Sequence, residues 1–155
     1  MMIVTDEQVK QQWYDSLTDE YDLEAIVLAQ YHKLCTNATE ADYDEAQSDF
    51  DSEYYLVYAD EGADEAVYEH IERDVWAFAP SFLSAHTGVD EEVFVALADR
   101  CEANNDSFKR MIKDFDHFVN DAVKCDGRGH FLAPYDREEN EITFNGITYY
   151  IYRRN

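Results

Sequence analysis

A chain of 155 residues fits one domain and is long enough to bury a core. Its 35 Asp and Glu against 12 Lys and Arg leave a formal charge of −23, which repels nucleic acid and anionic membranes and so argues against direct binding to either. Apolar residues at 46% and aromatics at 15% are too many for a disordered acidic tail, and no run approaches the ~20 apolar residues that span a bilayer.

The first residues, MMIVTDEQVK, show neither the basic nor the apolar region of a signal peptide. Cys35, Cys101 and Cys125 are odd in number and widely spaced, so no disulfide framework is expected. Together these predict a cytoplasmic, reducing setting. Thr5-Asp6-Glu7-Gln8 matches a capping box and opens a short helix with Val9 and Trp13 on one face. Asp19 or Asp22 caps an amphipathic helix carrying Leu23, Ile26, Val27, Tyr31 and Leu34, and Thr36-Asn37 breaks it. Thr39 caps a third helix with Tyr43, Ala46 and Phe50 inward. Residues 54–59, YYLVYA, read as strand by composition or as helix by continuation, and periodicity does not decide between them. Gly62 punctuates, and residues 63–79 then read as a helix with Val67, His70 or Ile71, Val75 and Phe78 inward, ended or kinked by Pro80.

Phe82 and Leu83 add apolar bulk before Gly88, a C-cap signal. Asp90 caps a helix with Val93, Phe94, Leu97 and Cys101 inward, closed by Asn104-Asn105. Asp106 or Ser107 opens the last helix, on the single stripe Phe108, Met111, Ile112, Phe115, Val119 and Val123. Gly127 and Gly129 mark a loop. Beyond it, Glu141-Ile-Thr-Phe and Ile147-Thr-Tyr-Tyr-Ile-Tyr alternate around Asn145-Gly146, the dipeptide that supplies positive φ at both centres of a type I′ hairpin turn. A lone hairpin is marginal in water, so 130–132 or 54–59 must supply a third strand, or helices must cover the hairpin. The expectation is an α+β domain over 1–155, mainly helical with about five to six helices, the C-terminal β-hairpin packed on them.

Charge is uneven. Residues 1–108 hold 27 acids and 4 bases, whereas residues 109–155 hold 8 of each. The densest stretch is 40–74, with Glu40, Asp42, Asp44, Glu45, Asp49, Asp51, Glu53, Asp60, Glu61, Asp64, Glu65, Glu69, Glu72 and Asp74 against the one cation Arg73. As one helix it would run roughly 50 Å, about one carboxylate per 3.7 Å, close to the ~3.4 Å phosphate spacing of a DNA strand. Like charges at i, i+4 (Glu61/Glu65, Glu65/Glu69) weaken a helix. A sequence that keeps them is holding carboxylates free for a partner's Lys and Arg. These fourteen are the candidate phosphate-mimicking, partner-binding residues. Tyr54, Tyr55 and Tyr58 beside them are expected to pack as core.

Other chemistry is poorly supported. The window from Asp42 places Gln47 where a Ca²⁺ loop requires glycine. His117, Cys125 and His130 match no Zn²⁺ spacing, and no local signature makes Cys125 a nucleophile. Gly127-Arg128-Gly129 lacks the flanking strand and helix of a phosphate loop. No catalytic residue, metal or cofactor is assigned, and the reading is of a protein that is not an enzyme.

Residues 126–155, DGRGHFLAPYDREENEITFNGITYYIYRRN, resemble the C-terminal block of small acidic proteins of bacteriophages and related mobile elements, which runs D-G-x-G-H-F-L-x-x-Y-D-G-E-E-x-E and ends Y-x-Y-R-x-N. Asp126, Gly127, Gly129, His130, Phe131, Tyr135, Asp136, Glu138, Glu139, Glu141, Tyr150, Tyr152, Arg153 and Asn155 fit, while Arg137 stands where the second glycine is usual. The block covers about a fifth of the chain and implies a phage or prophage setting without a chemistry. In size, acidity and helical content the chain is also similar to antirestriction and anti-CRISPR proteins that mimic DNA. The reading that joins these is an inhibitor of a host nucleic-acid-binding protein, a defence nuclease or a restriction or CRISPR complex, acting in the host cytoplasm. Residues 109–155 would be its neutral scaffold or a homodimer surface. The alternative is a phage accessory protein whose acids serve solubility.

Overall fold

The C-terminal alternation forms a hairpin, β2 (Asn140–Phe144) and β3 (Ile147–Arg153), closed by Asn145 at φ 50° and Gly146 at φ 76°. In the computed structural model, which describes residues 6–33, 38–98 and 102–155, the third strand is β1 (Tyr55–Ala59). It pairs antiparallel with β3, Val57 opposite Ile151 and Tyr58 opposite Tyr150, giving the order β1-β3-β2. The ambiguity over YYLVYA is thus resolved by a partner about ninety residues away.

Side chains alternate across this sheet. Tyr55, Val57, Tyr149, Ile151, Ile142 and Phe144 face one core, with Ile26, Val27, Tyr43 and Ala46. Leu56, Tyr58, Tyr150 and Tyr152 face a second, with Val67, Ile71, Leu83, Phe94, Phe108 and Phe118. The first core is built by α1 (Asp6–Thr18), α2 (Leu23–His32) and α3 (Glu40–Asp51). The second is built by α4 (Asp60–Arg73), α5 (Pro80–Thr87), α6 (Glu91–Leu97), α7 (Asn105–Met111), α8 (Phe115–Asp126) and α9 (Arg128–Leu132). The class is α+β as expected, with nine α-helices among the described residues.

The surplus of helices comes from breaks that periodicity does not register. The stripe 108–123 is cut at Ile112–Asp114, where Asp114 caps α8 by accepting from the His117 backbone N–H at 3.1 Å. Asn105 starts α7 rather than closing α6. Its side chain accepts from Trp76 N at 3.2 Å and donates to Glu72 O at 3.1 Å, tying the end of α4 to the 3₁₀ turn at Val75–Ala77. The helix drawn over 63–79 runs from Asp60 to Arg73, so Gly62 lies in its first turn. Pro80 opens α5 instead of ending α4, since the first helical position needs no amide hydrogen. Gly88 does close α5, at φ 71°.

Residues 130–132 are helix α9, not a strand or loop. Gly129 within it is required by contact, because a Cβ there would lie 2.6 Å from the Arg137 carbonyl oxygen. Arg137 itself has φ 64°, a left-handed conformation that glycine adopts more readily. Helix α2 is not amphipathic. Five consecutive residues, Ala25 to Ala29, are buried, and at ~100° per residue they go right round the helix. Trp13 is 45% exposed and Val93 43%, so neither is a core position. The start of the first capping box at Thr5, the inward positions Leu34 and Cys101, and the break at Thr36-Asn37 lie outside the described residues.

Candidate partner-binding surface

Residues 40–74 form α3, β1 and α4 in turn, so no continuous 50 Å rod exists. Because α3 packs on one face of the sheet and α4 on the other, the fourteen carboxylates fall into two separate groups. The window from Asp42 considered as a Ca²⁺ loop is largely α3. Thr39 caps that helix as expected, and its N–H and Oγ1 lie 2.8 and 2.9 Å from Asp42 Oδ2. These bonds from Thr39, with Lys33 Nζ at 3.3 Å, hold the Asp42 carboxyl below the ordinary 3.8. Tyr55 and Tyr58 pack on the two cores, but Tyr54, which precedes the strand, is 44% exposed; its backbone N–H donates to Asp49 O at 2.9 Å and its carbonyl accepts from Arg154 N at 2.8 Å.

Many of the acids are already engaged. Asp44 accepts from Tyr21 OH at 2.6 Å and Asp51 from Gln47 Nε2 at 2.9 Å. Glu53 pairs with Arg154 at 3.2 Å and Glu72 with Lys109, and Asp74 lies 3.6 Å from His70, an ion pair only when that ring is protonated. Asp60 and Asp64 both reach Arg128, at 2.9 and 3.0 Å. The side chains of Glu40, Glu45, Asp49, Glu61, Glu65 and Glu69 make no hydrogen bond or ion pair with another described residue. Glu45 and Asp49 border a hollow beside His32 and Lys33. Glu61, Glu65 and Glu69 are exposed at i, i+4 and i+8 on α4, opposite the buried Ala63, Val67 and Ile71. Neighbours in this row are about 6 Å apart along the axis.

Arg128 organises the start of α4. Its side chain is 11% exposed, and its guanidinium bonds Glu139 through Nε at 2.8 Å as well as Asp60 and Asp64, and stacks 4.4 Å from the centre of the Tyr150 ring. Burial acts to discharge it, but the bonds to Glu139 and Asp60 prevail and raise its pKa above the ordinary guanidinium value. Tyr152 OH donates to the same Glu139 carboxylate.

The soft ligand candidates are not brought together. His130 borders a groove of about 360 Å³ with His70, Asp74, Asp126, Phe131 and Arg137. Arg137 Nη1 donates to His130 O across 2.9 Å. Cys125 is exposed, and the structure gives it no hydrogen bond to His130. His117 joins His86 and Asp121 instead. That grouping was missed because His86 lies on α5, thirty-one residues earlier in the chain. Its local signal was the i, i+4 pair His117/Asp121. No family model, curated protein or solved structure matches the chain.

Proposed function

We propose that the protein is a non-catalytic acidic inhibitor that occupies the nucleic-acid-binding surface of a basic host protein, a defence nuclease or a restriction or CRISPR complex in the host cell. The observation that carries this is the row Glu61, Glu65 and Glu69. Two like-charged i, i+4 pairs cost a helix about 0.2–0.5 kcal/mol each. The fold supplies cations to Asp60, Asp64 and Glu72 on the same helix but gives none of the described cations to this row. An arriving Lys or Arg cluster relieves that repulsion, as it would neutralise phosphates on DNA. The exposed acids of α3 form a second surface on the far side of the sheet. The resemblance of residues 126–155 to phage-encoded acidic proteins supports the setting.

The test is capture from bacterial lysate at low salt, elution in a salt gradient and competition by duplex DNA, with Glu61→Gln/Glu65→Gln/Glu69→Gln in parallel. A nucleic-acid-binding protein that elutes at moderate salt, yields to DNA and is lost with the triple variant is the expected result. Equal capture by the variant, or a partner indifferent to salt and DNA, reduces the acids to a solubilising coat and leaves an accessory protein.

A further inference from the structure

Helices α5 and α8 bring three metal-ligating groups together. Asp121 Oδ2 lies 3.2 Å from His86 Nε2 and 3.4 Å from His117 Nε2, and the ligand atoms of all three lie within 4.8 Å of one another. Two ligands bound at 2.0–2.2 Å to a tetrahedral ion stand about 3.3–3.6 Å apart. The two short separations match that spacing, so an ion fits among these atoms with small side-chain adjustments.

The arrangement is held in advance. His86 has a side chain only 9% exposed, wedged with ring centres 4.7 Å from Phe82 and 5.1 Å from Phe118. Its carbonyl oxygen accepts from Lys113 N at 3.2 Å, fixing α5 against the approach to α8. Asp121 and His117 share one face of α8, a turn apart, at 37% and 62% exposure. One buried, orientated imidazole and two solvent-facing ligands leave at least one coordination position open to water. Two imidazoles with one carboxylate suit Zn²⁺ and its late first-row neighbours rather than Ca²⁺ or Mg²⁺, which take oxygen.

We propose that His86, His117 and Asp121 form a site for a divalent transition-metal ion, Zn²⁺ being the reference ion, that clamps α5 to α8. It is independent of the acidic row on α4. Binding puts the ion where the two imidazole Nε2 atoms otherwise meet the carboxylate; each ligating ring is neutral and carries its proton on Nδ1, and binding to the folded state alone raises its stability.

The test uses the full chain stripped with a chelator, then titrated with Zn²⁺ by calorimetry and melted with and without the ion. A single equivalent with a raised Tm is expected, together with visible absorption from Co²⁺ in the same site. Mg²⁺, which gathers on any acidic surface, should not reproduce these effects. His117→Ala and Asp121→Asn, both exposed enough to leave the fold intact, should abolish the Zn²⁺ shift, whereas Cys125→Ser and His130→Ala should keep it. No shift in the unaltered chain overturns the proposal, as does a shift preserved in His117→Ala or lost in Cys125→Ser.

Discussion

Arg128 is a cation around which acids from distant parts of the chain gather. Three carboxylates, Asp60, Asp64 and Glu139, converge on its guanidinium from the start of α4 and from the segment leading into β2. Removing one partner of a fully buried pair costs about 3–5 kcal/mol. Asp60 and Asp64 remain 67% exposed, and water screens much of their interaction. Arg128→Met is therefore expected to destabilise by roughly 2 kcal/mol in denaturant titration, a discounted value. Glu139→Gln, which leaves the other two carboxylates paired, should cost less. A loss below about 0.5 kcal/mol for Arg128→Met, the scale of an exposed pair, would mean that the acids do not need it. The residue stood in the sequence as part of an uninformative Gly-Arg-Gly turn. Its role depends on acids up to 68 positions away.

At the scale of elements, the boundaries were set by single side chains rather than by apolar periodicity. The stripe from Phe108 to Val123 fits one helix, yet Asp114 ends that reading by capping α8 through the His117 amide. The break also turns α8 so that Phe118 meets Phe78, Phe82 and His86. Asp114→Ala should lower stability by about 1 kcal/mol, the usual worth of such a cap. Asp114→Ser, which can still accept from the amide, should recover most of it. If both variants melt alike, the cap does not set the boundary. Asp90 carried an equal cap signal at the start of α6, but no cap bond to its side chain is formed there. Composition locates a cap without showing whether it is closed.

For the whole molecule, stability against pH combines two opposing effects. Acidification reduces the −23 charge and with it the self-repulsion that opposes a compact state. His70 works the other way. Burial lowers its pKa below the ordinary 6.5, ahead of the opposing pull of Asp74. A histidine that binds its proton more weakly when folded leaves stability complete above 6.5, and that stability is lost as pH falls through 6.5 towards the lower folded value. In 1 M salt, where the screening length is ~3 Å and the general repulsion is suppressed, the His70 contribution should be visible. The chain should lose Tm between pH 7.5 and 5.5, and His70→Gln should lose less. An identical slope in the two proteins would remove His70 from the account.

The amino-acid sequence by itself determined the hairpin, because the φ > 0 requirement of Asn145-Gly146 and the alternation beside it are local. It also determined the concentration of charge before residue 109, the cap at Thr39 and the presence of a helix over 23–32. Tertiary structure alone decided that Tyr55–Ala59 is a strand, since the pairing groups belong to β3 at the other end of the chain. The same pairing puts α3 and α4 on opposite faces of one sheet and divides a continuous run of acids into two surfaces. It also took packing of α5 against α8 to bring His86 to His117 and Asp121. A turn angle or a helical period is written within a few residues, whereas which face an element covers depends on chain segments far away in sequence.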